Sequence, residues 1–205
     1  FNSLSFGVGQ RKVYSKKFTY ASIMHFLMGW GFLELFFATT VDFFTARGWF
    51  FEYLPGFDTP WFAALNDTGG IMLISGVFMA LWRRHFNKPQ ALPQQPVSGR
   101  GNILGDTGIL IALLIVSMGG FLAEAARLAV EKPETAIYSY LGYAISNLIS
   151  VESWIALKPN LWWSHAVVSL IFIAIIPTTK MFHAIAVVVN VGLTNRKLRG
   201  HLRPM

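Results

Sequence analysis

Three of the five histidines, His25, His165 and His183, lie inside or at the ends of long apolar stretches. An ionisable side chain is costly to bury there, so each is a candidate functional residue. Neutral imidazole binds metal ions, and two imidazoles on facing helices supply the axial ligands of a b-type haem. For any one histidine, a hydrogen bond to a nearby carbonyl explains its position equally well. His85 and His201 lie in basic segments, and we interpret them as solvated.

The spacing of the histidines predicts which of them share a site. His165 and His183 are 18 residues apart, so we expect both on one face of a continuous fourth helix, about 27 Å apart along its axis. His25 lies early in the first apolar stretch, which should run antiparallel to the fourth. His25 and His183 are therefore predicted to face each other in the cytoplasmic half of a helix bundle, with His165 at another depth.

Four apolar stretches, residues 18–40, 62–82, 103–130 and 161–189, must position these side chains. Each is long enough, or nearly so, for a helix that crosses a hydrocarbon core of about 30 Å. The 205 residues are 54% hydrophobic and 13% charged, which is too apolar for a soluble or disordered chain. The predicted fold is an all-α integral membrane helix bundle with four spans. The absence of cysteine excludes disulfides, thiolate catalysis and cysteine-bound iron–sulfur clusters from this chain.

The basic residues are distributed unequally between the two ends of the spans. All 17 lysines and arginines except four, Arg47, Arg127, Lys132 and Lys158, fall on one side. The positive-inside rule places that side, with the C-terminus, on the cytoplasmic face of the cell inner membrane. The net charge of +7 therefore indicates membrane topology and not a nucleic-acid partner.

The connections between the spans differ in character. The outer segments 42–61 and 136–157 are rich in apolar residues, so we expect short helices on the membrane surface there. Their tryptophans and the nearby pair on the fourth span are expected at headgroup level: Trp49, Trp61, Trp154, Trp162 and Trp163. We assign residues 1–190 to the membrane domain and 191–205 to a basic cytoplasmic tail or linker.

Six short motifs, in a consistent order and spacing, carry a family resemblance. They are His25-x3-Gly29-x-Gly31-Phe32, Arg83-Arg84, Asp106, Gly120-Phe121-x2-Glu124-Ala125-x-Arg127, Trp162-Trp163-x-His165 and Pro177-Thr178-Thr179-Lys180-x2-His183. The chain resembles the membrane cytochrome b (gamma) subunit of respiratory nitrate reductases. It is more similar still to the related membrane domain of heterodisulfide-reductase-like iron–sulfur oxidoreductases.

The resemblance implies five spans, so that one span would precede Phe1. It also implies that His25 and His183 bind a haem b near the cytoplasmic side and that His165 is a ligand of a second, outer haem. The partner of His165 would lie ten residues after His25, where Leu35 stands. The sequence therefore does not decide whether a second haem is present, and a contact between His165 and a quinone headgroup is the equal alternative.

Other charged residues have two interpretations each. Arg83, Arg84 and Lys180 lie where the propionates of a cytoplasmic-side haem would emerge, although topology signalling explains them too. Glu34, nine residues after His25 and thus on the opposite helix face, is a candidate for proton transfer at an outer quinone site or for a hydrogen bond to another helix.

The i, i+3 spacing of Glu124 and Arg127 favours a structural ion pair over a role as a quinone, proton or propionate contact.

The sequence therefore predicts the membrane module of a quinone-linked oxidoreductase. Electrons would pass through haem b between menaquinone or ubiquinone and a cytoplasmic iron–sulfur subunit or fused domain, with membrane lipid around the spans. The catalytic iron–sulfur part is not in this chain, and we assign no catalytic residue to it. The alternatives are a haem-free membrane anchor subunit and a small transporter that uses Glu34, Glu124 and Arg127.

Overall fold

A computed structural model describes residues 19–46, 56, 59–87, 105–183 and 186 of the chain. Over these residues the regular structure is helical, with no β-strand. The helices are α1 (Thr19–Ala46), α2 (Pro60–His85), α3 (Gly105–Glu131), α4 (Tyr140–Ser146) and α5 (Val151–Ile175), with 3₁₀ turns at Ala136–Tyr138 and Ile176–Thr178.

Four of these helices, α1, α2, α3 and α5, are long and apolar enough to cross a membrane. Their outward faces carry large apolar side chains, as expected where lipid replaces water. Some polar side chains on these helices bond within their own helix: the hydroxyls of Thr39 and Thr40 donate to the carbonyls of Leu35 and Phe36 in the preceding turn. The predicted all-α bundle with four spans is confirmed.

The four long helices pack antiparallel in the order α1, α2, α3, α5. α2 and α3 are the more buried pair, whereas α1 and α5 flank them and do not pack against each other along their lengths. One end of the bundle contains the start of α1 and α3 and the end of α2 and α5, and we call it the Asp106 end. The opposite end contains α4, and we call it the α4 end.

Glycine allows the closest helix contact, between α1 and α2. A Cβ atom added to Gly31 would lie 2.6 Å from the carbonyl oxygen of Gly69 and 2.6 Å from the amide nitrogen of Leu73. No side chain fits at that distance, so the two backbones touch only because residue 31 has none. Below this contact, Leu73, Val77, Leu113 and Phe172 form the main buried core toward the Asp106 end.

The fourth span differs from the prediction at both ends. α5 begins at Val151, ten residues earlier than expected, where the Ser150 hydroxyl accepts a hydrogen bond from the Ser153 amide as an N-terminal cap. It ends at Ile175 and not near residue 189, because Pro177 has no amide hydrogen and cannot continue the ladder. The continuous helix expected through His183 was therefore wrong.

The outer segment 136–157 is only partly surface helix. It contains a 3₁₀ turn and α4, but its last seven residues are the start of α5. Trp154 is 4% exposed and donates its indole N–H to the Ser146 carbonyl at 2.8 Å, so it is buried in the protein, and its predicted depth at headgroup level stays a prediction. It joins α4 to α5 inside the protein.

Part of the other outer segment also belongs to a span, since α1 continues to Ala46. Trp49 and the tail 191–205 lie outside the described residues, so those predictions stay predictions.

Candidate functional site

The Asp106 end brings together two histidines from the flanking helices. His25 lies six residues inside α1, about 9 Å from its start. His183 follows the Pro177 break, directly after a turn at residues 180–181 that separates it from the end of α5. The centroids of the two imidazole rings are 6.1 Å apart, and the ring planes are inclined at 67°. The structure thus places the predicted pair side by side, although by a turn and not by helical periodicity.

Hydrogen bonding distinguishes the nitrogens of the His183 ring. Nδ1 of His183 contacts the carbonyl oxygen of Lys180. A carbonyl only accepts, so Nδ1 carries a proton, and in the neutral tautomer Nε2 has a free lone pair. This is the arrangement usual in metal-binding histidines, in which one nitrogen donates to a backbone carbonyl and the other binds the metal.

His25 has an unsatisfied nitrogen. Its Nδ1 is buried and has no hydrogen-bond partner among the described residues. A buried polar atom of this kind normally finds a partner in the protein, in ordered water or in a bound group. The imidazole therefore has capacity for a ligand that its neighbours do not fill.

Asp106 organises the basic residues at the same end. Its Oδ1 lies 2.6 Å from Nζ of Lys180, and its Oδ2 lies 3.2 Å from Nη1 of Arg84. The predicted cluster of Arg83, Arg84 and Lys180 is thus brought together in part. Arg84 and Lys180 share one carboxylate, whereas Arg83 is not in this group of ion pairs as far as the described residues show.

His165 lies near the middle of the bundle and not beside the other two histidines. A Cβ added to Gly119 or Gly120 of α3 would lie 3.2 or 3.3 Å from its ring, so the imidazole packs directly on this glycine pair. Its Nδ1 is buried without a hydrogen-bond partner within the described part of the chain. Leu35, at the position implied for a second ligand, packs against the main apolar core.

Glu34 occupies the interface of α1 and α2. Its carboxylate lies against Gly69, where an added Cβ would clash with it, and Oε1 is buried with no hydrogen-bond partner among the described residues. The predicted hydrogen bond to a neighbouring helix is therefore not formed by this oxygen. Gly69 provides the space for the carboxylate.

Glu124 and Arg127 form the predicted ion pair near the α4 end. Nε and Nη2 of Arg127 donate to the two carboxylate oxygens of Glu124 at 2.9 and 3.0 Å, a two-point contact that fixes both side chains. Ser139 also donates to Glu124, at 3.2 Å. A second ion pair lies at the same end, where Nζ of Lys158 is 2.6 Å from Oε1 of Glu131.

Sequence reasoning missed the role of Asp67. This side chain is 3% exposed, and its Oδ2 accepts hydrogen bonds from the amides of Leu141 and Gly142 at 2.5 and 3.2 Å. It therefore holds the first turn of α4, and the adjacent Thr68 hydroxyl contacts the Tyr140 hydroxyl at 2.8 Å. A carboxylate seven residues inside an apolar helix was the signal that could have identified it.

The described side chains contain no group of three or more histidines, aspartates or glutamates able to hold a metal ion. A site made by the protein alone is thus not found in this part of the chain. A haem needs less from the protein, because the porphyrin supplies four ligands and two imidazoles complete the coordination.

The chain is similar to a curated protein named EtfAB:quinone oxidoreductase, from Syntrophomonas wolfei. The two are 26% identical over 198 residues, which is 90% of this chain and 26% of the relative. The chain thus spans about a quarter of the length of the curated relative it matches. No family model matches the chain, and no solved structure matches it. The finer resemblance to nitrate reductase gamma subunits and heterodisulfide-reductase-like proteins stays a prediction.

Proposed function

We propose that this chain is a haem b-containing membrane module of a quinone-linked oxidoreductase. The relative is named as a quinone oxidoreductase, and the four apolar helices fit a multi-pass membrane protein. Both agree with electron exchange between a quinone in the bilayer and a partner outside it. The observation that carries the proposal is the His25–His183 pair.

The spacing of the two rings fits a shared iron. The ring centroids of His25 and His183 are 6.1 Å apart. Both imidazoles would therefore be close enough to hold one haem, which would supply a one-electron redox centre.

The position of the pair fits as well. His25 belongs to α1, and His183 follows the end of α5, so the two residues come from the two flanking parts of the bundle. When bound there, haem b would supply a one-electron carrier whose potential depends on its axial ligands and its burial. His25 would hold it through the imidazole with the unsatisfied nitrogen, and His183 through the ring that Lys180 orients.

His165 and Glu34 are the proposed quinone contacts. Both have buried polar atoms with no hydrogen-bond partner in the described part of the chain, and both pack against glycine near the middle of the bundle. An imidazole can hydrogen-bond a quinone oxygen, and a carboxyl group can pass it a proton. Retention of a second haem by His165 is the competing role, and it needs a ligand other than Leu35.

The remaining parts of the proposal concern location and partners. From the excess of Lys and Arg on one side, we infer that the Asp106 end lies at the cytoplasmic face of the cell inner membrane. A cytoplasmic iron–sulfur subunit, or a fused domain, would then meet the haem at that end. Such a partner must bring its own cysteines, since this chain has none.

Absorption spectroscopy of the purified chain tests the haem. We expect a b-type α band after reduction with dithionite, and we expect His25→Ala and His183→Ala each to abolish the band from this site. The matched control is His85→Ala, because His85 is exposed at the end of α2 and its loss should leave the band unchanged. A chain without the band would instead be the haem-free anchor subunit, and an unchanged band in His25→Ala would refute the ligand assignment.

Haem stoichiometry tests His165. We expect His165→Ala to keep the haem of the His25–His183 pair while slowing its reduction by a quinol analogue. A loss of half the haem, from two per chain to one, would instead assign His165 to a second haem. Phe172→Leu, a change confined to the buried core beside α3, serves as the control for a general effect on packing.

A further inference from the structure

The ion pairs of Asp106 have no role so far in the proposed electron transfer. Asp106 is the second residue of α3, and its side chain is 29% exposed. It contacts Lys180, beyond the end of α5, at 2.6 Å and Arg84, near the end of α2, at 3.2 Å. One carboxylate therefore ties three parts of the chain together, and the start of α3 also favours a negative charge.

Lys180 is held at two points. Its side chain binds Asp106, and its carbonyl oxygen accepts from the ring Nδ1 and, at 3.2 Å, from the backbone amide of His183. Lys180 itself lies in a turn between α5 and the helical residues Phe182 and His183, where the bonds are short-range, such as the Met181 amide to the Thr179 hydroxyl at 3.3 Å. The position of the Lys180 carbonyl therefore depends on the side-chain anchor.

We propose that Asp106 is a positioning residue for His183. Through Lys180, Asp106 fixes the carbonyl oxygen that accepts from Nδ1 of His183. It thereby sets the orientation of the ring and the donor strength of Nε2. This inference rests on the proposed function, in which Nε2 faces the haem iron. Outer-shell partners of this kind change metal affinity by about 10–100-fold when they are removed.

The competing interpretation is that Arg84 and Lys180 bind haem propionates directly. In that case Asp106 competes with the propionates for both cations, and its removal should strengthen haem binding or leave it unchanged. In the positioning role, removal of Asp106 and removal of the Lys180 charge break the same connection. The two interpretations therefore differ in the effect of removing Asp106, which weakens haem binding only in the positioning role. Both predict that removal of the Lys180 charge weakens haem binding.

The experiment measures the rate of haem loss to an excess of apomyoglobin. We expect Asp106→Asn and Lys180→Gln each to accelerate haem loss about tenfold. The double variant should lose haem no faster than either single variant, because coupled residues are not additive. Lys180→Arg keeps a cation that can reach Asp106 and should restore most of the wild-type rate. The ferric haem should show the same altered low-spin electron paramagnetic resonance signal in both single variants.

The chain offers a matched control at the α4 end. Lys158 and Glu131 form an ion pair of the same length, 2.6 Å, far from His183. Glu131→Gln and Lys158→Gln should leave the rate of haem loss and the resonance signal unchanged.

Three outcomes decide between the interpretations. Acceleration in Lys180→Gln but not in Asp106→Asn would overturn the positioning role and favour propionate binding. Wild-type behaviour of both variants would overturn it too, while the haem proposal stands. Absence of haem from the unmodified chain would refute the proposed function itself. Since Lys180 is 56% exposed, Lys180→Gln keeps the test valid even if Asp106→Asn does not fold.

Discussion

Asp67 is the buried carboxylate on which the α4 end depends. It accepts two backbone hydrogen bonds from the first turn of α4, a helix of seven residues whose own N-cap residue, Ser139, makes no side-chain capping bond. Short helices are marginal without external support. The side chain therefore acts as a cap supplied by another helix.

Removal of this carboxylate should weaken the α4 end. We expect Asp67→Ala to lower the free energy of unfolding by about 1–3 kcal/mol, because two buried amides lose their acceptor. Asp67→Asn keeps one side-chain carbonyl oxygen, so its free energy of unfolding should lie between those of the unmodified chain and Asp67→Ala. Unfolding in mixed detergent micelles measures the change, and proteolysis should cut first in residues 132–150.

Asn66→Ala is the control for Asp67. Among the residues that the structure describes, the Asn66 side chain bonds only within α2, to the Phe62 carbonyl at 2.9 Å, so its removal should leave the α4 end protected. Equal sensitivity of the two variants to protease would show that Asp67 has no special role.

Two carboxylates show what could be predicted at this scale. Glu124 and Arg127 are three residues apart on one helix, so local geometry alone predicts their ion pair, and the structure confirms it. The partners of Asp67 lie 74 and 75 residues away, and no local pattern records them. Asp106 is similar, because its two cations come from α2 and from the turn beyond α5.

At the scale of elements, α5 shows both the strength and the limit of hydropathy. The apolar run predicted that a fourth span exists, since lipid requires it. It did not predict the start at Val151 or the end at Ile175. The placement of His183 by counting helical turns was therefore wrong, although the predicted pair with His25 does lie together.

Pro177 creates the helix break that precedes His183. In Pro177→Ala the residue regains an amide hydrogen and α5 can continue, which would carry His183 away from His25. This can be measured without haem, because the natural chain has no cysteine. We expect a short bismaleimide to cross-link the His25→Cys/His183→Cys pair and the added Pro177→Ala change to reduce the yield severalfold.

Pro159→Ala is the matched control for the turn. Pro159 lies inside α5, two turns from its start, and its replacement should leave the cross-linking yield unchanged. A yield unaffected by Pro177→Ala would mean that another feature, such as the Lys180–Asp106 ion pair, is enough to hold the turn.

At the scale of the whole molecule, the charge distribution predicts a single orientation. Cysteines introduced at Asn87 and Asn147, both exposed and at opposite ends of the bundle, should react with a membrane-impermeant maleimide from opposite sides. We expect Asn87→Cys to react only after the cytoplasmic face is opened, and Asn147→Cys to react in intact cells.

Ile115→Cys is the control for the orientation experiment. Ile115 is exposed in the middle of α3, where lipid should shield it from the charged reagent on both sides. Labelling of Asn87→Cys in intact cells would reverse the assigned orientation and move the proposed iron–sulfur partner to the other face.

The backbone contact of Asp67 also has a consequence for biogenesis. A ribosome makes α2 long before it makes Leu141 and Gly142, the residues whose amides Asp67 accepts. An aspartate entering a nascent span costs about 2.5–3.5 kcal/mol on the translocon scale. The hairpin of α1 and α2 must therefore enter the bilayer against this penalty. The Asp67 carboxylate gains its two backbone hydrogen bonds only after the later half of the chain has been synthesised.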